Sequence, residues 1–380
     1  MAIPLQRPPA NGTRPRYRRA ISEPGIEPVR VGIVGYGYWG PNLVRNFAES
    51  PATKVVAVSD MSEQRLGEAL ARHPGIAVTT DCEDIFTDPD IDAVAIATPV
   101  STHYPLGLAA LQAGKHVLMS KPLADRAAHC QRLINEARAR DLVLMVDHTF
   151  LYTGAVRKIK QLVDGGNLGS LYYYDSVRVN LGLFQHDVNV LWDLAVHDLA
   201  IMEHVLGARP CAVAATGAAH VPGQLANMAY LTCFFSGSLI AHHHVNWLAP
   251  VKVRRTLIGG DRQMIVYDDL EPSEKVKVYD KGVTVRSGLE SVYESMVGYR
   301  TGDMWAPQVS LTEALKVEVQ HFADCIRKGL RPISDGESGL RVVRTLEAAV
   351  QSLDQRGKPV ELSENVEEPA EPLDAVAQTA

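Results

Sequence analysis

The run Val31-Gly32-Ile33-Val34-Gly35-Tyr36-Gly37-Tyr38-Trp39-Gly40 leaves few folds open to this chain. An apolar β-branched segment enters G-x-G-x-x-G and a helix-like stretch follows. A second apolar segment, Val55-Val56-Ala57-Val58-Ser59-Asp60, then ends in an acid twenty residues beyond Gly40. Strand, glycines, helix, strand and acid in that order form a dinucleotide site. Gly35 permits the tight turn, Gly37 lets the backbone approach a pyrophosphate, and Gly40 lets the helix pack close to the strand, with its amides and dipole facing the phosphates. Tyr38 and Trp39 lie in the same loop and are grouped with the cofactor site. Asp60 supplies an acceptor for an adenosine ribose diol. It would repel a 2′-phosphate, and Met61 places no arginine beside it, so NAD is expected over NADP.

At 380 residues the chain suggests two domains. No apolar run approaches the roughly 18 to 20 residues of a spanning helix, so no membrane association is expected. A net charge of -6 gives no general attraction to nucleic acid. Residues 1–28 hold Arg7, Arg14, Arg16, Arg18 and Arg19 against Glu23 and Glu27, and read as a disordered basic tail. They lack the apolar core of a signal peptide, which points to a cytoplasmic protein. Cys82, Cys130, Cys211, Cys233 and Cys325 have no C-x-x-C spacing and argue against a disulfide framework. Residues 361–380 carry six acids and no basic residue, and read as a disordered acidic tail.

From Val31 to Asp147 short β-branched runs at 31–34, 54–59, 76–79, 92–97, 116–119 and 142–146 alternate with helical patterns at 39–50, 62–72, 81–87, 103–113 and 126–140. That rhythm predicts a parallel sheet wound with helices over residues 29–147. Beyond it, a helix at 154–164, a strand at 171–179 and a helix at about 188–206 precede β-rich runs between Cys211 and Val285. Two late helices, at 310–328 and 337–356, follow. The fold class is therefore α/β: a Rossmann domain, then an α+β domain over 148–360 with a large, mostly antiparallel open sheet. The crevice between the domains is the default substrate site.

Three segments carry chemistry. Met119-Ser120-Lys121-Pro122 follows the fifth strand, where a lysine can touch a hydroxyl beside a nicotinamide or else be a solvated surface residue. In Asn189-Val190-Leu191-Trp192-Asp193-Leu194-Ala195-Val196-His197-Asp198, Asp193 and His197 stand i and i+4 on one helical face. They can address one ligand, with the imidazole suited to proton transfer, or form a structural pair. Thr98, Pro99 and His103 follow the fourth strand, and either line the nicotinamide side or cap the next helix. No further ligand completes a metal site around Asp193 and His197. In His242-His243-His244 strand alternation turns the middle side chain away from its neighbours, so no metal is expected.

Together these residues resemble the glucose-fructose oxidoreductase and inositol dehydrogenase (Gfo/Idh/MocA) family over about Val29 to Leu362. Members commonly carry Glu-Lys-Pro after the fifth strand, which places their lysine at Lys121, and an Asp-x-x-x-His helix motif that matches Asp193 and His197. This sequence departs at Ser120, where the usual glutamate contacts the nicotinamide ribose; serine keeps a hydrogen-bonding group there. The runs Gly37 to Leu43, Arg178 to Gln185 and Trp247 to Lys252 resemble the branch acting on nucleotide-linked sugars. The resemblance implies an NAD-dependent dehydrogenase in which Lys121, His197 and Asp193 carry catalysis. His148, Tyr152, Arg178, Asn180 and Gln185 are candidate substrate contacts or surface residues, an arginine being able to meet a diphosphate bidentately. Oxidation of inositol, another polyol or a glycoside is an alternative, as is a cofactor-binding regulator like the family's galactose-pathway repressor. The strands between Cys211 and Val266 are apolar on both faces, as in Leu231-Thr232-Cys233-Phe234-Phe235, which predicts a homodimer or homotetramer joined through the open sheet unless the late helices cover it.

Overall fold

A computed structural model describes residues 27–182, 188–221, 225–285 and 297–362. Gln185 and nearly all of both expected tails lie outside the described residues.

The first unit is a six-stranded parallel sheet with the order β3-β2-β1-β4-β5-β6. Its strands are β1 (Val29–Val34), β2 (Thr53–Ser59), β3 (Ala77–Thr79), β4 (Ala93–Ile96), β5 (His116–Ser120) and β6 (Leu144–Asp147). The intervening helices are α1 (Gly40–Glu49), α2 (Glu63–Arg72), α3 (Glu83–Thr87), α4 (Val100–Gln112) and α5 (Ala127–Ala139). Each expected strand and helix is found, within a few residues. β4 is buried along its whole length because helices cover both faces of a parallel sheet, which is why it reads as a continuous apolar run. Strand order reverses between β1 and β4, so their carboxyl ends open a crevice at the switch point.

The second unit contains α6 (Gly154–Asp164), β7 (Leu171–Leu181), α7 (Val196–Leu206) and then β8 (Pro210–Ala218), β9 (Met228–Phe235), β10 (Ile240–Asn246), β11 (Leu248–Gly260), β12 (Met264–Asp268) and β13 (Val276–Tyr279). β14 (Gly282–Val285) pairs antiparallel with β15 (Val297–Arg300) in a separate two-stranded sheet. After β16 (Met304–Trp305) come α8 (Ala314–Lys328), α9 (Gly336–Asp354) and β17 (Val360–Glu361). The large sheet has nine strands in the order β16-β13-β12-β11-β7-β10-β9-β8-β17. Its pairs are antiparallel except β7 with β10, which run parallel. The chain leaves β7 through α7, β8 and β9 before β10 returns beside it, the long crossover that a parallel pair requires. His243 is fully buried with Nδ1 2.7 Å from Ser176 Oγ, while His242 and His244 stand on the opposite face beside Tyr230.

The last two helices return to the first unit. Phe322 of α8 packs edge-on against Phe47 of α1 with centroids 6.3 Å apart, and Arg327 donates to the Ala52 carbonyl at 2.8 Å. Glu347 of α9 accepts from Ala127 N at the start of α5 at 3.0 Å. The segment 148–360 is therefore not confined to one unit, because apolar faces of α8 and α9 complete the core of the nucleotide sheet as well.

One buried ion pair pins α7 to β7. Arg178 Nε and Nη2 donate to Asp198 Oδ2 and Oδ1 at 2.8 and 2.9 Å, and both residues are buried. Arg178→Met strands the Asp198 carboxylate in the core, and is expected to cost about 3–5 kcal/mol in chemical denaturation. The double variant with Asp198→Leu should recover part of that loss; equal losses for single and double variants would deny the pair this role.

Candidate active site

The crevice is built from the glycine loop upward. Gly35 has φ +96°, and a Cβ there would lie 2.5 Å from the Ala97 carbonyl oxygen. A Cβ on Gly40 would lie 2.3 Å from the Gly35 carbonyl oxygen, so the first turn of α1 can close on the strand only without a side chain. At Gly37 a Cβ would meet nothing nearer than Arg65 Nη1 at 3.8 Å, which leaves a cradle over the backbone. α1 has no side-chain cap and no acid in its first turn. Those features fit a bound pyrophosphate. Ser120 Oγ is buried with no partner among the described residues, and fits a hydrogen bond to a ribose hydroxyl.

Asp60 ends β2 with Oδ2 accepting from Tyr36 N at 2.7 Å and Oδ1 accepting from Ser62 N at 2.9 Å. Arg65 Nη1, from the first turn of α2, stands 3.6 Å from Oδ2. The expectation that no arginine accompanies Asp60 is thus corrected: the helix brings one from four residues beyond Met61. Tyr38 is exposed, whereas Trp39 is half-buried and its Nε1 donates to Asp147 Oδ2. Thr98 is half-buried beside Gly35 and accepts from Thr102 Oγ1 at 2.7 Å; Pro99 is exposed. His103 is buried with its ring nitrogens 2.8 Å from the Pro122 carbonyl and 2.9 Å from the Thr98 carbonyl. It ties the β4 and β5 loops together and leaves no nitrogen for a cofactor, which corrects its grouping with the cofactor site.

Lys121 leaves β5 through a cis peptide to Pro122. Its Nζ donates to the Asp193 carbonyl at 3.1 Å and to Asp193 Oδ1 at 3.3 Å. Asp193 Oδ2 accepts from Trp247 Nε1 at 2.9 Å, so the carboxylate is held from two sides. The expected continuous helix over 188–206 is interrupted here: Leu191–Ala195 forms a single π turn before α7 begins at Val196. Asp193 sits in this turn, a departure that recurs at functional sites. His197, in the first turn of α7, packs edge-on against Phe150 with centroids 5.0 Å apart. Burial holds the imidazole well below its usual value, and the charges of Lys121, Arg178 and Arg254 push the same way, so it is a neutral base.

His148 is buried, with neither ring nitrogen bonded among the described residues, and burial together with Lys121 lowers it to about 3. Phe150 belongs to a 3-10 turn, Thr149–Tyr152, and carries the Arg178 guanidinium 4.6 Å and the Arg254 guanidinium 5.6 Å from its ring centroid. Two substrate expectations change. Arg178 directs its fork at Asp198, so it is spent inside the protein rather than on a diphosphate. Tyr152 is buried with its hydroxyl 2.9 Å from Ser334 Oγ, and belongs to the core. Asn180 is half-buried near the end of β7, its Nδ2 beside Gly182.

Sequence reasoning missed Arg65, Asp147, Phe150, Trp247 and Arg254 as site residues. Arg254 carried no signal of this, because its place beside Arg178 comes from the register of β11 on β7. Asp147 had a weak one as the acid that ends the sixth strand, in register with Ser120.

Residues 29–148 match the model of an oxidoreductase family with an NAD-binding Rossmann fold, and residues 156–266 match the GFO/IDH/MocA C-terminal domain. The UDP-N-acetylglucosamine 3-dehydrogenase of Acidithiobacillus ferrooxidans is 26% identical over 331 residues, covering 85% of this chain and 96% of its own. Its solved structure superposes with a TM-score of 0.71 at 24% identity, over 86% of this chain and 98% of the other. A myo-inositol 2-dehydrogenase of Thermotoga maritima is 24% identical over 354 residues, 88% of this chain and 99% of that one. With both halves of the fold and the crevice accounted for, the chain belongs to the Gfo/Idh/MocA family of NAD-binding oxidoreductases.

Proposed function

We propose that the chain is an NAD-dependent dehydrogenase or ketoreductase acting on a ring secondary hydroxyl or ketone of a sugar, in particular a nucleotide-activated sugar. The observation that carries this reading is the meeting of Lys121, bonded to Asp193, with a neutral, half-buried His197 beside the carboxyl ends of β5 and β6. The nicotinamide supplies the hydride acceptor or donor. Gly35, Gly37, Gly40, Asp60, Thr98 and Ser120 would hold the dinucleotide. His197 takes the hydroxyl proton, which its neutral state leaves it free to do. Lys121 donates a hydrogen bond to the oxygen as negative charge develops on it. Asp193, fixed by Trp247, orients the lysine. Asn180, His148 and Arg254 would contribute contacts to a polyhydroxylated ring. Inositol oxidation is the second reading, favoured by the near full-length match to an inositol dehydrogenase.

Turnover of purified protein with NAD or NADH against sugar nucleotides, inositols and glycosides tests the proposal. Reduction of NAD by one class identifies the substrate, and no turnover on any class favours a regulator. Lys121→Met and His197→Ala should each lower turnover about 10²-fold or more and leave NAD binding nearly intact. Because His197 is held below the ordinary imidazole value of 6.5, the acid limb of kcat for oxidation should fall below that pH. A limb above it would deny His197 the role of base.

NAD should bind more tightly than NADP in parallel titrations, since the Asp60 carboxylate, held by Tyr36 N and Ser62 N, would repel a 2′-phosphate. Asp60→Ala should weaken NAD binding. Tighter binding of NADP, abolished by Arg65→Ala, would make the arginine the determinant instead.

The chain is further proposed to form a homodimer or homotetramer through the open face of the nine-stranded sheet. α9 packs over β8 on the inner face, while Tyr230 and Ile240 on the outer face are 38% and 42% exposed, with Phe234, Leu257 and Val266 half-buried around them. Sedimentation at micromolar concentration should give a dimer or tetramer that persists without either tail; a fully active monomer would refute it.

A further inference from the structure

Two acceptors face each other in the core behind the glycine loop. Glu318 of α8 is completely buried and neither of its oxygens has a donor among the described residues. The carboxylate next to it is Asp147, also buried, whose Oδ2 accepts from Trp39 Nε1 and whose Oδ1 accepts from Thr149 Oγ1. Trp39 is thus spent on Asp147, and the Thr149 hydroxyl, bonded to Asp147, lies within reach of Glu318 as well. Two ionised carboxylates here would repel strongly in a low dielectric, and a proton between them removes the conflict.

The surroundings offer no other remedy. The 3-10 turn contributes Thr149 and Tyr152, the latter bonded to Ser334. α8 itself contributes His321, which burial keeps neutral, and Cys325, whose thiol burial pushes up. From α1, Arg45 and Asn46 are bonded to Glu313. None of these is a cation set against Glu318.

We propose that Glu318 is a positioning residue for the cofactor site: it carries a proton that it donates to Asp147, and this carboxyl pair keeps Asp147 bridging the glycine loop and the turn that leads to the catalytic histidine. Trp39 lies between Gly37 and Gly40, and Thr149 precedes the Phe150 that packs on His197. One anchor therefore sets both the dinucleotide cradle and the base, and α8 supports it. The inference rests on dinucleotide binding by the fold, not on the identity of the sugar.

Burial first, and then the Asp147 charge, keep the Glu318 carboxyl protonated well above the ordinary value of 4.5. In the unfolded chain it ionises at that ordinary value. The folded state then holds the extra proton, so this group's contribution to stability declines as pH rises above 4.5. Glu318→Gln keeps a neutral donor and removes the decline.

The full-length protein, without cofactor, tests this by difference infrared spectroscopy and by unfolding at several pH values. Wild type at neutral pH should show a protonated-carboxyl C=O band that Glu318→Gln lacks. The Tm of Glu318→Gln relative to wild type should rise from about pH 5 to about pH 8. Glu318→Leu, which removes the donor to Asp147, and Trp39→Phe, which removes the indole donor, should each weaken NAD binding about tenfold. Glu318→Gln, which keeps a neutral donor, should recover the binding lost in Glu318→Leu. A wild-type minus Glu318→Gln difference spectrum with no carboxyl band, or a Tm difference independent of pH, overturns the shared proton. Unchanged NAD affinity in Glu318→Leu overturns the positioning role. Failure to turn over any sugar would sink the proposed activity and leave these readouts in place.

Discussion

A cation from the nucleotide domain and a carboxylate from the second domain meet over the crevice, and the site depends on that meeting. Lys121 leaves the end of β5, while Asp193 sits in the π turn that precedes α7. The ammonium bonds both the carbonyl and the side chain of Asp193, and Trp247 holds the remaining oxygen. Neither partner is fully buried, so the pair is less a source of stability than a constraint on direction: it aims a lysine that would otherwise be a flexible surface chain. The π turn matters for the same reason. It places the Asp193 carbonyl and carboxylate together toward Lys121 and then lets α7 begin with His197 against Phe150.

Around this centre the protein sorts its charges by burial. Arg178 is sealed into a bidentate pair with Asp198, yet its guanidinium still lies over Phe150 and lowers the proton affinity of His197. Arg254 does the same from β11 while paired with Asp269. The cations therefore act on the base through space and not by contact with it. A neutral imidazole in a positively biased pocket fits the proposed base, and the same positive bias would favour an oxygen on which negative charge grows.

Much of the fold was legible because periodicity reports burial. The six strands of the first sheet are nearly continuous apolar runs between crossover helices, and the alternation of β10 separates His243 from His242 and His244. Asp193 was legible as a candidate acid, but its geometry was not, since a sequence does not announce where a helix takes on an extra residue. Tyr152 and His103 looked like donors facing the crevice because polar residues near strand ends often are. Their neighbours decided otherwise: Ser334 and two backbone carbonyls, far away in sequence, claim their polar atoms. Gln185 lies outside the described residues.

The sequence by itself determined the glycine loop of the nucleotide fold and pointed to the candidate lysine, acid and histidine. Glycine spacing and strand-end position are local facts, fixed by backbone sterics and by the carboxyl-end rule of parallel sheets. Only the tertiary structure decided what those groups touch. Arg65 stands over Asp60 because α2 turns back toward the loop, Arg178 is spent on Asp198 because α7 crosses β7, and Glu318 confronts Asp147 because α8 returns to the first domain. Such pairings join residues separated by anything from five positions to more than a hundred. They follow from packing, which fills space and satisfies charge without regard to distance along the chain.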